Sequence, residues 1–271
     1  MSSSRISRAW ITATLSRMTP LEAKTLDLFT HHKKWTAPLL AIKEQVDLST
    51  AHRRLGPLID LGLIDRQCSG YRSTGGRFPD LFYLTAQGAA VLNRVLDQGE
   101  HQVKAPSIAN PVSNEHDLLV LELALRLDCW DRLDHRKKLT LDVYHASDRD
   151  EFDQEMTGGQ ISLVPDLHLS DRVSRHEHYF EVEQTTRYRH ILGKYQTYKQ
   201  VDRYHCAQGT DSFLWVIFAD LRQRWTLMPD HRRAHKQVNM GDANVLVADM
   251  DAVRAAHVQD LYGLWSLVEY I

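Results

Sequence analysis

The chain has 271 residues, 43% apolar and 25% charged, with a formal net charge of −2. That length admits two small domains or one large one, and no apolar run approaches the ~20 residues needed to cross a bilayer. Cys68, Cys129 and Cys206 are few, odd in number and without metal-type spacing, so a reduced, cytoplasmic protein is expected. The start MSSSRISRAWITATLSRM has neither a continuous apolar core nor a small-residue cleavage site, so no signal peptide is expected.

The charge is unevenly spread. Residues 1 to 98 hold 13 Lys and Arg against 8 Asp and Glu, a net of +5, and the remainder holds 20 against 27, a net of −7. A basic first third joined to an acidic remainder implies separate jobs for the two parts.

After an N-terminal arm (1–18), TPLEAKTLDLF opens a helix with a threonine cap, proline at the first position and Glu22 three residues on. Leu21, Leu26 and Phe29 fall on one face of it. TAPLLAIKEQ starts a second helix, and DLSTAHRRLGPLIDLGLI a third, with Leu55, Leu58, Ile59 and Leu61 at helical spacing. The polar start of that third helix presents Ser49, Thr50, His52, Arg53 and Arg54. A hairpin follows: Ile64 enters, STGG turns the chain and LFYLT returns, with Arg66, Arg72 and Arg77 on or beside it. AAVLNRVLDQ adds a helix.

Three helices and a basic hairpin, closed by YLTAQG, resemble the winged helix-turn-helix family, here over 19–98. The resemblance implies a third helix in the major groove of double-stranded DNA and a wing on the phosphates, so the eight residues Ser49 to Arg77 just named are the expected DNA contacts. Winged helices also serve as protein–protein modules.

Residues 99–113 are polar, contain Pro106 and Pro111, and read as a linker. The second domain, 114–271, then runs as a helix (EHDLLVLELALRL), three strands (KLTLDVYH, ISLVPDLHL, HYFEVEQT), a long helix through RYRHILGKYQTYKQVDRYH and a buried strand, SFLWVIFAD. NVLVADM and a C-terminal helix through LYGLWSLVEY complete it. Strand parity places Asp166 and His168 on one face and Leu163, Leu167 and Leu169 on the other. It also places Glu181 and Glu183 together, about 7 Å apart, with Phe180 and Val182 opposite. If the two strands form a hairpin around SDRVSRHE, Asp166, Glu181 and Glu183 converge. Three carboxylates suit Mg²⁺ or Mn²⁺ and water activation against a phosphodiester. A half-exposed strand also alternates glutamates, so a solvated face is the competing explanation.

The order α-β-β-β-α-β, with the Pro-Asp and Glu-x-Glu strands, resembles the core of the PD-(D/E)xK nuclease superfamily, an α/β (α+β) fold of restriction-endonuclease type. That resemblance implies catalytic roles for Asp166, Glu181, Glu183 and a lysine. The usual motif lysine is here Glu183. Some members carry the lysine on the next helix, where Lys194 stands four residues before Tyr198. Tyr188, Ile191, Tyr195 and Tyr198 also read as that helix's packing stripe. Glu115 or Glu122 of the first helix is a further acidic candidate. His168, His176, His178, His190 and His205 have no zinc-type spacing.

The whole chain, from the winged helix to FEVEQTTRYRHILGKYQTY, resembles the replication-relaxation family of plasmid and mobile-element proteins. What this implies is a DNA-binding protein of replication or mobilisation, associated with the bacterial nucleoid or a plasmid. The implied partners are a second copy of the chain and replication or mobilisation proteins. Two expectations follow. One is an Mg²⁺-dependent DNA endonuclease or nickase. The other is an inactive transcriptional regulator or relaxosome accessory factor that uses the nuclease-like domain for dimerisation or docking.

Overall fold

A computed structural model describes residues 6–68, 79–95, 103–106, 111–131, 139–142, 165–171, 174–184, 187–240, 244–256, 264–265 and 267–271. The chain divides into two compact units, Met1–Leu121 and Glu122–Ile271.

In the first unit, α1 (Arg8–Leu15) lies in what the sequence presents as an arm, capped by Ser7, whose hydroxyl accepts from Trp10 N at 3.2 Å. α2 (Pro20–His31) starts on a reciprocal cap: Thr19 N donates to Glu22 Oε2 at 2.7 Å, and Glu22 N donates to Thr19 Oγ1 at 3.2 Å. A strand too short to show periodicity follows, β1 (Lys34–Thr36), and then α3 (Ala37–Glu44). α4 (Leu48–Asp60) is capped by Asp47 and ends before Gly62, whose φ of 71° turns the chain into β2 (Ile64–Gln67). β3 (Leu81–Leu84) and α5 (Ala86–Val95) follow. The strands form an antiparallel sheet in the order β1-β3-β2. Leu26, Phe29, Trp35, Leu40, Leu55, Leu58 and Leu84 make its core. Leu21, expected beside Leu26, is 47% exposed, because it lies in the first turn of α2. This helix, strand, two helices, hairpin order is that of a winged helix. Its turn residues 69–78, including Arg72, Arg77 and STGG, lie outside the described residues.

The join of β3 to α5 is tight for a chemical reason. Thr85 Oγ1 donates to the carbonyls of Gly62 and Leu63 at 2.7 and 3.0 Å and accepts from Gly88 N at 3.0 Å. A Cβ on Gly88 would lie 2.0 Å from Leu63 O, so only glycine fits there.

The boundary between the units falls inside α6 (Pro111–Asp131). The second unit continues with β4 (Leu139–Asp142), β5 (Leu167–Asp171) and β6 (His176–Glu183). α7 (Tyr188–Ala207), β7 (Asp211–Phe218), α8 (Leu221–Val238), β8 (Asn244–Asp249), α9 (Met250–Ala255) and β9 (Glu269–Tyr270) complete the described elements. One sheet runs β4-β5-β6-β7-β8-β9. β4, β5 and β6 pair antiparallel, β6, β7 and β8 parallel, and β9 returns antiparallel. Each parallel pair needs a crossover, and α7 and α8 supply them. The fold is therefore mixed α/β, and among the described elements the order from α6 to β7 is the expected α-β-β-β-α-β.

Tyr179, Leu214, Val216, Phe218, Val245 and Val247 pack on one face of the sheet against Ile191, Tyr195, Tyr198 and Val201 of α7 and Leu227, Met228 and Ala234 of α8. The opposite face carries Phe180 stacked on Trp215 at 5.3 Å. Two segments differ from expectation. The stretch 221–238 is a helix, although its apolar stripe is sparse and interrupted by Pro229, so that its periodicity announces none. The expected C-terminal helix through LYGLWSLVEY does not reach Glu269–Tyr270, which pair with Val247 and Leu246 as a strand.

Candidate functional site

The acidic site is built by strand register. Leu167 stands opposite Phe180, so Asp166, one step back, is level with Glu181 on the same sheet face. Asp166 is pinned twice: its N–H donates to Phe180 O at 3.0 Å, and its Oδ2 accepts from Val182 N at 2.7 Å. Glu181 and Glu183 share the face toward α7 and are buried, with side chains 8% and 2% exposed. The parity expectation therefore holds, and the solvated-face alternative fails for both glutamates.

Across from them, α7 presents Lys194 and Tyr198 one turn apart. Lys194 Nζ lies 2.6 Å from Glu181 Oε2 and 3.3 Å from Glu183 Oε2. Tyr198 OH donates to Glu181 Oε1 at 2.8 Å. The lysine side chain is 34% exposed, so this is where the cluster opens outward.

Crowding sets the electrostatics. Burial pushes the Glu181 carboxyl up to about 7; Lys194 opposes this, and the charge of Asp166 adds to it. Burial alone would lower the Lys194 pKa, but the charges of Glu181, Glu183 and Asp166 outweigh it and hold the ammonium above the usual lysine range. Burial and the Glu181 charge raise the Tyr198 phenol well above its ordinary value, so it is a hydrogen-bond donor at all working pH. Behind the cluster, Tyr195 OH contacts His231 Nδ1 at 3.2 Å. Burial and the nearby Lys194 charge push that imidazole down to about 4, so it is neutral. No spacing or motif around His231 marks it in advance. Among the described residues, no three acidic, histidine or cysteine side chains stand in a cation-holding arrangement, and the Lys194 ammonium fills the space between the glutamates.

The other candidates take different places. His168 is buried on the same face and pairs with Glu177 Oε2 at 2.7 Å. Glu122 is held by Arg254 at 2.7 Å and Arg126 at 2.9 Å, which keeps its pKa low even against burial. Glu115 is half-buried in α6 of the first unit.

On the first unit, the start of α4 is locked by Asp47. Its Oδ1 accepts from Ser49 Oγ at 2.6 Å and Thr50 N at 2.8 Å, and its Oδ2 accepts from Thr50 Oγ1 at 2.8 Å. The Ser49 hydroxyl, with the N–H and hydroxyl of Thr50, holds the Asp47 pKa far below the usual range. His52 and Arg53 are exposed, and Arg53 Nη2 donates to Thr50 Oγ1 at 3.1 Å. Arg54 turns inward to Glu44 at 2.7 Å, which Lys24 also binds at 2.9 Å. Arg66 pairs with Asp80 across the hairpin.

These parts define a two-part protein: a winged helix-turn-helix unit, then an α-β-β-β-α-β unit with an Asp, Glu-x-Glu and Lys cluster on its sheet. The chain matches the replication-relaxation family over residues 26–217 and belongs to it. The match runs from within α2 to β7 and so covers most of the winged helix and every residue of the cluster. The family's description ties the chain to a replication-related role. A crystal structure of RV1404 from Mycobacterium tuberculosis is 21% identical, with 42% of this chain and 75% of that chain covered. Its TM-score is 0.26, too low to carry an argument. No curated protein matches. No described helix is long and apolar enough to cross a membrane.

Proposed function

We propose that this chain is a DNA-binding protein of a plasmid or mobile element whose second unit hydrolyses phosphodiesters with a divalent cation. The observation that carries this reading is the meeting of Lys194 with Glu181 and Glu183 on the face shared by Asp166. A displaced motif lysine is useful only if it reaches the carboxylates from the following helix, and Lys194 reaches both.

The donor set is all carboxylate oxygen on two adjacent strands, the ligand type a hard cation takes, but as the three stand they do not form a cation-holding arrangement, because the Lys194 ammonium fills the space between Glu181 and Glu183. With Lys194 swung aside, Asp166, Glu181 and Glu183 would hold Mg²⁺ or Mn²⁺, which when bound supplies Lewis-acid activation of water at neutral pH. The protein's own residues do the rest. Val182 N fixes the Asp166 carboxylate, Tyr198 fixes Glu181, and the Lys194 ammonium offsets negative charge developing on a phosphate. The winged helix supplies DNA affinity through His52 and Arg53, with the start of α4 in the major groove and the wing on the backbone. As a winged-helix binder of palindromic sites, the chain would act as a homodimer.

One observation favours a second reading. Lys194 as it stands neutralises the glutamates without any metal. A chain that kept this ion pair permanently would be an accessory binding factor. Calorimetric titration of Mn²⁺ into the full chain and its Asp166→Asn variant separates the two. Saturable binding that the variant lacks supports the hydrolase, and no binding by either supports the accessory factor.

A further inference from the structure

Residues 99–271 carry a net charge of −7, yet α7 and α8 together hold nine Lys and Arg against two Asp, a net of +7. The rest of that stretch is correspondingly more acidic, with 11 cations against 25 carboxylates. These two helices are the ones that cover the sheet face bearing Asp166, Glu181 and Glu183.

Some of the nine are used internally. Lys194 binds the glutamates, and Lys199 Nζ donates to the carbonyls of Val238 and Asn239 at 2.7 Å each, closing the end of α8. Arg224 and Arg232 bind Glu269, Arg224 also reaching Asp249. Arg189, Arg203, Arg222, Arg233 and Lys236 are exposed and form no ion pair among the described residues. Three of these belong to one neighbourhood. The Arg233 guanidinium lies 4.7 Å over the Tyr188 ring, and Tyr188 OH donates to Gln237 Oε1 at 2.6 Å. Those contacts pin the start of α7 to the last turns of α8. Arg189 follows Tyr188 on α7, and Lys236 lies about one turn from Arg233 on α8.

Exposed cations on the two helices that cover a carboxylate site oppose that site's own charge. They lower the electrostatic cost of bringing a polyanion to it. We infer that Arg189, Arg233 and Lys236 form a second DNA contact, a phosphodiester-backbone surface where the start of α7 meets the end of α8, on the helices that cover the acidic cluster. The inference rests on the proposed function for the identity of the polyanion.

The test is anisotropy titration of a fluorescent duplex of about three helical turns with the full chain across a salt series. The proteins compared are wild type, Arg53→Ala, and the triple variant Arg189→Gln, Arg233→Gln, Lys236→Gln. Each phosphate that the protein no longer neutralises lowers the slope of log K against log salt by about 0.9, so the triple variant should be shallower by about 2 to 3. The charge-preserving double variant Arg189→Lys, Arg233→Lys should keep the wild-type slope. If the triple variant binds with unchanged slope and affinity while Arg53→Ala binds more weakly, the surface is not a DNA contact, and the winged-helix reading stands without it. If wild type does not bind the duplex at all, both fall. Circular dichroism checks that the triple variant is folded. Should it not be, Arg189→Gln and Lys236→Gln singly must each lower the slope by about 1, and an unchanged slope in both overturns the inference.

Discussion

Replacing Glu181 by glutamine should change how stability depends on pH, in a direction the geometry fixes. One ammonium faces three carboxyls in a largely closed site, and burial pushes Glu181 from 4.5 up to about 7. The folded chain therefore holds a proton that the unfolded chain releases at 4.5, so this group's contribution to stability is greatest below 4.5 and falls as pH rises through 7. At about 1.36 kcal/mol per pH unit, that displacement costs the wild type about 3 kcal/mol by pH 8. His231, pushed down to about 4, has the opposite slope between 4 and 6.5, but it is common to both proteins. The readout is therefore the difference between them. Urea melts of wild type and Glu181→Gln at half-unit steps from about pH 4.5 to 8, followed by tryptophan fluorescence, give that difference; Trp215 is fully buried in the second unit. The variant should gain about 3 kcal/mol on the wild type across that window, whatever its offset at the acid end. A difference that stays flat with pH would refute the crowded, proton-retaining cluster.

Three further outcomes follow from particular contacts. Lys194→Met leaves Glu181 and Glu183 without their shared cation. Since the lysine is one-third exposed, the loss should be about 1–3 kcal/mol, less than for a fully buried pair, and Mn²⁺ should raise the melting temperature of the variant more than that of wild type; equal shifts would count against a cation site there. Gly88→Ala drives a Cβ into the Leu63 carbonyl and should cost about 3 kcal/mol or more in thermal or urea melts, and a loss under about 1 would mean that the β3–α5 junction yields easily. Arg54→Ala should lower stability by about 2 kcal/mol through Glu44, with DNA affinity changed only in step with folding, and Arg53→Ala should do the reverse, weakening DNA retention at unchanged melting temperature.

Much of this architecture was legible because it rests on local rules. The Thr19–Glu22 box, the apolar stripe of α4 and the alternation in β6 each announce an element without help from the rest of the chain. The grouping of these side chains was legible for the same reason: parity placed Glu181 with Glu183, and the spacing of Lys194 and Tyr198 put both on one stripe of α7. What the sequence could not supply were long-range pairings. Nothing near Arg54 says that Glu44 will take it, nothing near Glu122 names Arg254, and the level of Asp166 with Glu181 depends on the β5–β6 register. Short or mixed segments were the other gap. β1 has three residues, and α8 combines Pro229 with five cations. The C-terminal Glu269–Tyr270 takes strand geometry only because β8 offers an edge.

The most direct measurement is cleavage of supercoiled plasmid by the full chain in Mg²⁺ or Mn²⁺, beside the Glu181→Gln and Asp166→Asn variants. The account predicts metal-dependent nicking or linearisation by wild type that chelation stops and that both variants lack. Retention of the same plasmid by all three proteins, with no strand broken in either metal, would contradict it.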